Sequence, residues 1–74
     1  MKRQDASIHE KIARLTRVRE RLGWSEETCA HELGVTYSTL NRWERGASLP
    51  RSVVMLRAID QLIAAHEKTI GRSG

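Results

Sequence analysis

The chain has 74 residues, enough for one domain around one modest core and too few for a deep catalytic cavity. Charged residues make up 30% of it, and the balance is basic, +4 at pH 7 with a pI near 10.0. Only Lys2, Lys11 and Lys68 among the 13 cations are lysines; the arginine forks suit phosphate and guanine edges better than ammonium groups do, so charge leans toward nucleic acid without deciding for it.

No stretch alternates with period two, so no sheet is expected and the chain reads as all-α, a compact bundle of four to five helices. The domain is expected over residues 7–68, with residues 1–6 and 69–74 as frayed ends. A first helix is predicted from Ser7 to Leu22, with Ser7 as cap and Glu10 completing a capping box. Ile8, Ile12, Leu15, Val18 and Leu22 form its apolar stripe, and Gly23 ends it. A second helix is predicted from Glu26 to Leu33. Ser25 caps it, Glu26 and Glu27 suit its positive end, and Cys29, Ala30 and Leu33 point inward. Gly34 breaks it.

A third helix is predicted after the cap Thr36, ending near Arg45 with Gly46 beyond it, its inward residues being Leu40 and Trp43. Pro50 is suited to opening the last helix, predicted from Arg51 to Lys68. Met55, Leu56, Ile59, Leu62 and Ile63 form the main stripe of that helix, which Ile70 can extend. Val54, Ala58 and Ala65 add a second apolar flank, wider than one contact needs.

Two short helices joined through Glu32-Leu33-Gly34-Val35-Thr36 carry the signature of a helix-turn-helix over residues 25–45. Ala30 is small where two helices cross, Gly34 can take the positive φ that reverses the chain, and Cys29, Leu33, Val35, Leu40 and Trp43 close a core between the helices. On these residues the sequence resembles the Cro/repressor-type, or Xre-like, helix-turn-helix family. Gly23 to Val35 looks like its second helix and turn. Tyr37 to Gly46 looks like its recognition helix and stop. The likeness spans about residues 7–65 and implies a lambda-repressor-like DNA-binding domain.

The resemblance implies that the helix after Thr36 enters the major groove of double-stranded DNA with Tyr37, Ser38 and Arg42 at base edges. Arg42 is the sharpest of these, because arginine reads guanine O6 and N7 with two bonds. Ser25, Thr36, Thr39, Asn41, Arg45 and Arg51 are implied contacts to the sugar-phosphate backbone, which fix register without reading sequence. Glu26 departs from the family, where glutamine is common. A carboxylate there repels phosphate; it can cap its helix, pair with an arginine or accept from a cytosine amino group.

Arg19 falls on the apolar stripe of the first helix, where an unpaired cation is costly. The family implies that it pairs with Glu44; the alternative is a side chain snorkelling to solvent. Arg14, Arg17 and Arg21 lie on the other side, as a solvated face or a phosphate-facing stripe. Cys29 reads as a small buried hydrophobe. His9, His31 and His66 lack metal-ligand spacing, so neither metal nor cofactor is expected. Trp24 and Trp43 read as core residues rather than stacking platforms. No activated nucleophile or glycine-rich phosphate loop suggests an enzyme.

A single cysteine, a polar N-terminus and the shortness of the apolar run Val53 to Leu56 lead to the expectation of a cytoplasmic, nucleoid-associated protein without a membrane span. The wide apolar sector of the last helix either packs wholly on the chain itself, or its Val54/Ala58/Ala65 flank or its Ile63/His66/Ile70 end pairs with a second copy, and the family implies a homodimer on a near-palindromic operator. The expected function is a sequence-specific transcriptional regulator of repressor type. An antitoxin-type autoregulator with a toxin partner and a helical protein-interaction module without DNA binding are the alternatives.

Overall fold

A computed structural model describes the backbone of residues 3–72 and the side chains of residues 6–67. Four helices follow one another: α1 (Arg3–Leu22), α2 (Glu26–Leu33), α3 (Tyr37–Glu44) and α4 (Val53–Arg72). Among the described residues there is no strand.

The stops of α1, α2 and α3 are written locally. At the end of α2 the amide of Gly34 donates to the carbonyl of His31 at 3.1 Å and that of Val35 to Ala30 at 2.9 Å, a Schellman closure. The same pair of bonds closes α1, from Gly23 to Glu20 and from Trp24 to Arg19, and α3, from Gly46 to Trp43 and from Ala47 to Arg42. Gly34 sits at φ 80°, a left-handed conformation that any side chain with a Cβ resists. The starts of the two short helices are equally local. Ser25 accepts from the amide of Thr28 at 3.1 Å, and Thr36 from that of Thr39 at 3.2 Å, each supplying a partner to one of the unpaired first-turn amides.

Two boundaries differ from the sequence-based expectation. α1 begins at Arg3 rather than Ser7, so Ser7 is an exposed residue inside the helix and not its cap. Arg3 to Ala6 contain no proline or glycine to stop propagation, and a capping signal does not compel a start where the preceding residues also form helix. α4 runs from Val53 to Arg72, starting two residues later and ending four residues later than expected. Ser52 caps it, accepting from the Met55 amide at 3.3 Å, while the Ser52 carbonyl takes the first helical bond from Leu56 at 2.9 Å. Pro50 therefore does not open α4. It lies buried in the extended segment between α3 and α4. Ile70 falls outside the residues whose side chains are described.

The core is one cluster to which every helix contributes. Ile12, Leu15 and Val18 come from α1, Cys29, Ala30 and Leu33 from α2, Leu40 and Trp43 from α3, and Ile59 and Ile63 from α4. Leu15, Cys29, Leu40 and Ile59 are sealed from solvent. Trp24 packs at the margin of this cluster, its ring edge against His66 of α4 with centroids 5.1 Å apart. Burial pushes the Cys29 thiol up to about 11, so it stays a neutral hydrophobe at physiological pH.

α1 and α4 lie against each other, cross-linked at the surface by Lys11 to Asp60 at 2.7 Å and by Arg14 to Glu67. α2 and α3 pack together, and both also touch the α1/α4 layer. That arrangement leaves the outer side of α3 uncovered. The Val54/Ala58/Ala65 flank is not absorbed by the core: Val54 is 77% exposed, Ala65 is exposed and Ala58 half-buried. Of the other expected contact end, Ile63 is buried and His66 is taken up by Trp24.

Candidate nucleic-acid interface

α3 is amphipathic over eight residues. Leu40 and Trp43 seat it on the core, and Tyr37, Ser38, Arg42 and Arg45 are exposed on its opposite and flanking sides. A helix rises 1.5 Å per residue and turns 100°, so Ser38, Arg42 and Arg45 form one outward row, i, i+4 and i+7. Tyr37 and Asn41 form the adjoining row. Tyr37 is 48% exposed, its ring half covered. Arg51 is exposed in the segment after α3.

The polar groups expected to meet the DNA backbone divide into two sets. Arg45 and Arg51 are exposed cations close to the end of α3. The Ser25 and Thr36 hydroxyls are engaged as caps: Ser25 also donates to Thr28 Oγ1 at 3.1 Å, and the Thr36 and Thr39 hydroxyls share a hydrogen bond of 2.9 Å. Asn41 departs most from its expected flank role. Its Nδ2 donates to Glu26, at 3.3 Å to Oε1 and 3.4 Å to Oε2. Glu26 is drawn into a contact that none of the three sequence-based roles names, while its charge also favours the nearby Arg19 guanidinium. The Glu26 carboxylate accepts from an amide 15 positions along the chain, a separation for which the sequence holds no local signal.

Arg19 and Glu44 fix how α3 sits. The Arg19 guanidinium is 3.0 Å from Glu44 Oε2 through Nε and 3.1 Å from Oε1 through Nη2, a two-point fork on a carboxylate. Its Nη1 donates to the Trp24 carbonyl at 3.0 Å, so the turn after α1 joins the same cluster. Both side chains are largely covered, 15% and 10% exposed. Burial opposes the Arg19 charge, but the Glu44 hydrogen bonds and the nearby carboxylates outweigh it and hold the guanidinium above its usual value. Burial raises the Glu44 carboxyl, helped by the neighbouring Glu26 and opposed by Arg19. One guanidinium thus ties the end of α3 to the turn after α1, with the Glu26 charge near enough to favour it.

Arg14, Arg17 and Arg21 lie toward α4. Arg14 is bonded to Glu67, and Arg17 and Arg21 line a groove with Val18 and Glu67. Among the described residues no group of three or more His, Cys, Asp or Glu side chains is placed to hold a metal ion, and no helix is long and apolar enough to cross a membrane.

Two short helices joined at a left-handed glycine, the second seated by Leu40 and Trp43 with its polar side bare, define a helix-turn-helix protein. The helix-turn-helix family model matches residues 15–62, well over half of the chain. The chain belongs to that family, the Cro/C1-type helix-turn-helix proteins, which are DNA-binding transcription regulators. No curated protein and no solved structure matches it.

Proposed function

We propose that this protein is a sequence-specific repressor that binds its operator as a homodimer, α3 of each copy lying in the major groove. The observation that carries the reading is the bare outward row of α3, in which Ser38, Arg42 and Arg45 stand exposed on a helix whose opposite side is locked into the core. Arg42 reads a guanine through a two-bond fork, and Ser38 and Tyr37 touch neighbouring base edges. Arg45 and Arg51 meet phosphates on either side and set register. The cap hydroxyls of Ser25 and Thr36, and that of the half-buried Thr39, are already engaged in local hydrogen bonds, which makes them weaker backbone contacts.

The dimer reading rests on the flank of α4 that the chain leaves uncovered. Val53 and Val54 are 68% and 77% exposed, and a second copy related by a two-fold axis covers the same patch on both partners. Such a dimer sets its two recognition helices about 34–36 Å apart, one turn of DNA.

A gel shift against a duplex carrying the gene's own upstream region tests this reading. Wild-type protein is expected to bind it specifically. Arg42→Ala is expected to abolish specific binding and to leave weak, salt-sensitive binding, whereas Arg45→Ala weakens all sequences alike. Absence of duplex binding below micromolar protein at low salt would favour a protein-interaction module, a reading to which the acidic first turn of α2, Glu26 and Glu27, also lends itself.

A further inference from the structure

We infer that Asn41 is a specificity-determining residue, oriented by Glu26 so that it selects a base offering an amino group in the major groove, adenine or cytosine, rather than a phosphate. This rests on the reading that α3 enters that groove.

The argument starts from the chemistry of the pair. An ionised carboxylate only accepts hydrogen bonds, whereas a carboxamide has a donor arm and an acceptor arm that are nearly the same size. Free in solvent, an asparagine offers either arm. Beside Glu26, only one orientation is bonded: Nδ2 toward the carboxylate, 3.3 and 3.4 Å from its two oxygens. The opposite orientation sets Oδ1 against two anionic oxygens. Glu26 is itself held in place as the first residue of α2, directly after the cap Ser25, and is half-buried. It therefore acts as a fixed acceptor that decides which way the Asn41 amide lies.

The consequence follows from the position of Asn41 on α3. It is half-buried, one turn beyond Tyr37 and adjacent in sequence to Arg42, at the margin of the outward side. With its nitrogen drawn toward α2, Oδ1 is the arm turned away from Glu26. A carbonyl oxygen repels phosphate, so this arm does not serve the backbone role expected for the residue. It accepts from adenine N6 or cytosine N4, while thymine O4 and guanine O6 and N7 are acceptors themselves and give it nothing. Glutamine in place of Glu26 removes the constraint, because a second carboxamide bonds either arm of Asn41 equally well.

The test is selection of binding sites from a randomised duplex pool by wild-type protein, Arg42→Ala, Asn41→Ala and Glu26→Gln, with the folded state of each checked by circular dichroism and thermal melting. Wild type is expected to enrich a motif with one position restricted to adenine or cytosine on the contacted strand. Asn41→Ala is expected to flatten that position alone, leaving the slope of log affinity against log salt unchanged. Glu26→Gln is expected to broaden the same position to all four bases while the Arg42 position stays sharp. A slope reduced by about one in Asn41→Ala, with every position of the motif intact, makes Asn41 a phosphate contact and overturns the inference. So does a motif unchanged in both Asn41→Ala and Glu26→Gln. If wild type enriches no motif, or Arg42→Ala changes none of its positions, it is the groove-reading role of α3 that fails, a separate result.

Discussion

Arg19 shows how a single side chain can set the position of a surface it never reaches. It makes three hydrogen bonds, two to Glu44 at the end of α3 and one to the Trp24 carbonyl. Removing one partner leaves an arginine that is 15% exposed with no counter-ion in its fork, and uncompensated buried charge is the costly outcome. Glu44→Ala is therefore expected to lower unfolding stability by roughly 3–5 kcal/mol in urea melts. A loss of only a few tenths would mean that Arg19 escapes to water and that the pair does not anchor α3. Replacing both residues by apolar ones of similar size is expected to be much less harmful than replacing either alone, since then no charge is stranded.

At the scale of elements, the molecule depends on helices that start and stop where they must. α2 and α3 have eight residues each, too short to persist alone in water, so caps and packing have to hold them. The turn between them occupies only Gly34 to Thr36, with Gly34 at φ 80° and no neighbouring atom within 4 Å of where a Cβ would stand. Gly34→Ala therefore meets no clash and suffers only the left-handed backbone penalty. It is expected to cost about 1–2 kcal/mol in thermal or denaturant unfolding, with the DNA affinity of the molecules that remain folded unchanged. A larger loss, or a change in base preference, would show that the turn also controls the angle between α2 and α3.

At the scale of the whole molecule, the chain measures 36 × 25 × 20 Å. Among the described residues, Val53 and Val54 on the α4 flank are, with Tyr37, the exposed large hydrophobic side chains. If that flank joins two copies, light scattering gives twice 8.4 kDa at micromolar concentration. Val54→Glu is then expected to return the mass to a single chain and to weaken operator binding while leaving the base preference at the Arg42 position intact. A variant that keeps the wild-type mass and affinity would move the dimer contact elsewhere or dispense with it.

The features legible in the sequence are those set by near neighbours in the chain. Ser25, Thr36 and the glycines at 23, 34 and 46 mark helix ends because caps and left-handed stops involve residues within about five positions. The apolar stripes of Ile12 to Val18 and Ile59 to Ile63 appear because helical periodicity brings such residues to one side. Tertiary structure decided what depends on groups distant in sequence. The true starts of α1 and α4 were ambiguous locally, since Ser7 and Pro50 are plausible signals that the folded chain does not use. The tie between Glu26 and Asn41 needs α2 and α3 already docked. So does the exposure of Val54, because a wide apolar sector says only that a helix wants cover, while the packing of α1 and α4 determines which part of it the chain itself supplies.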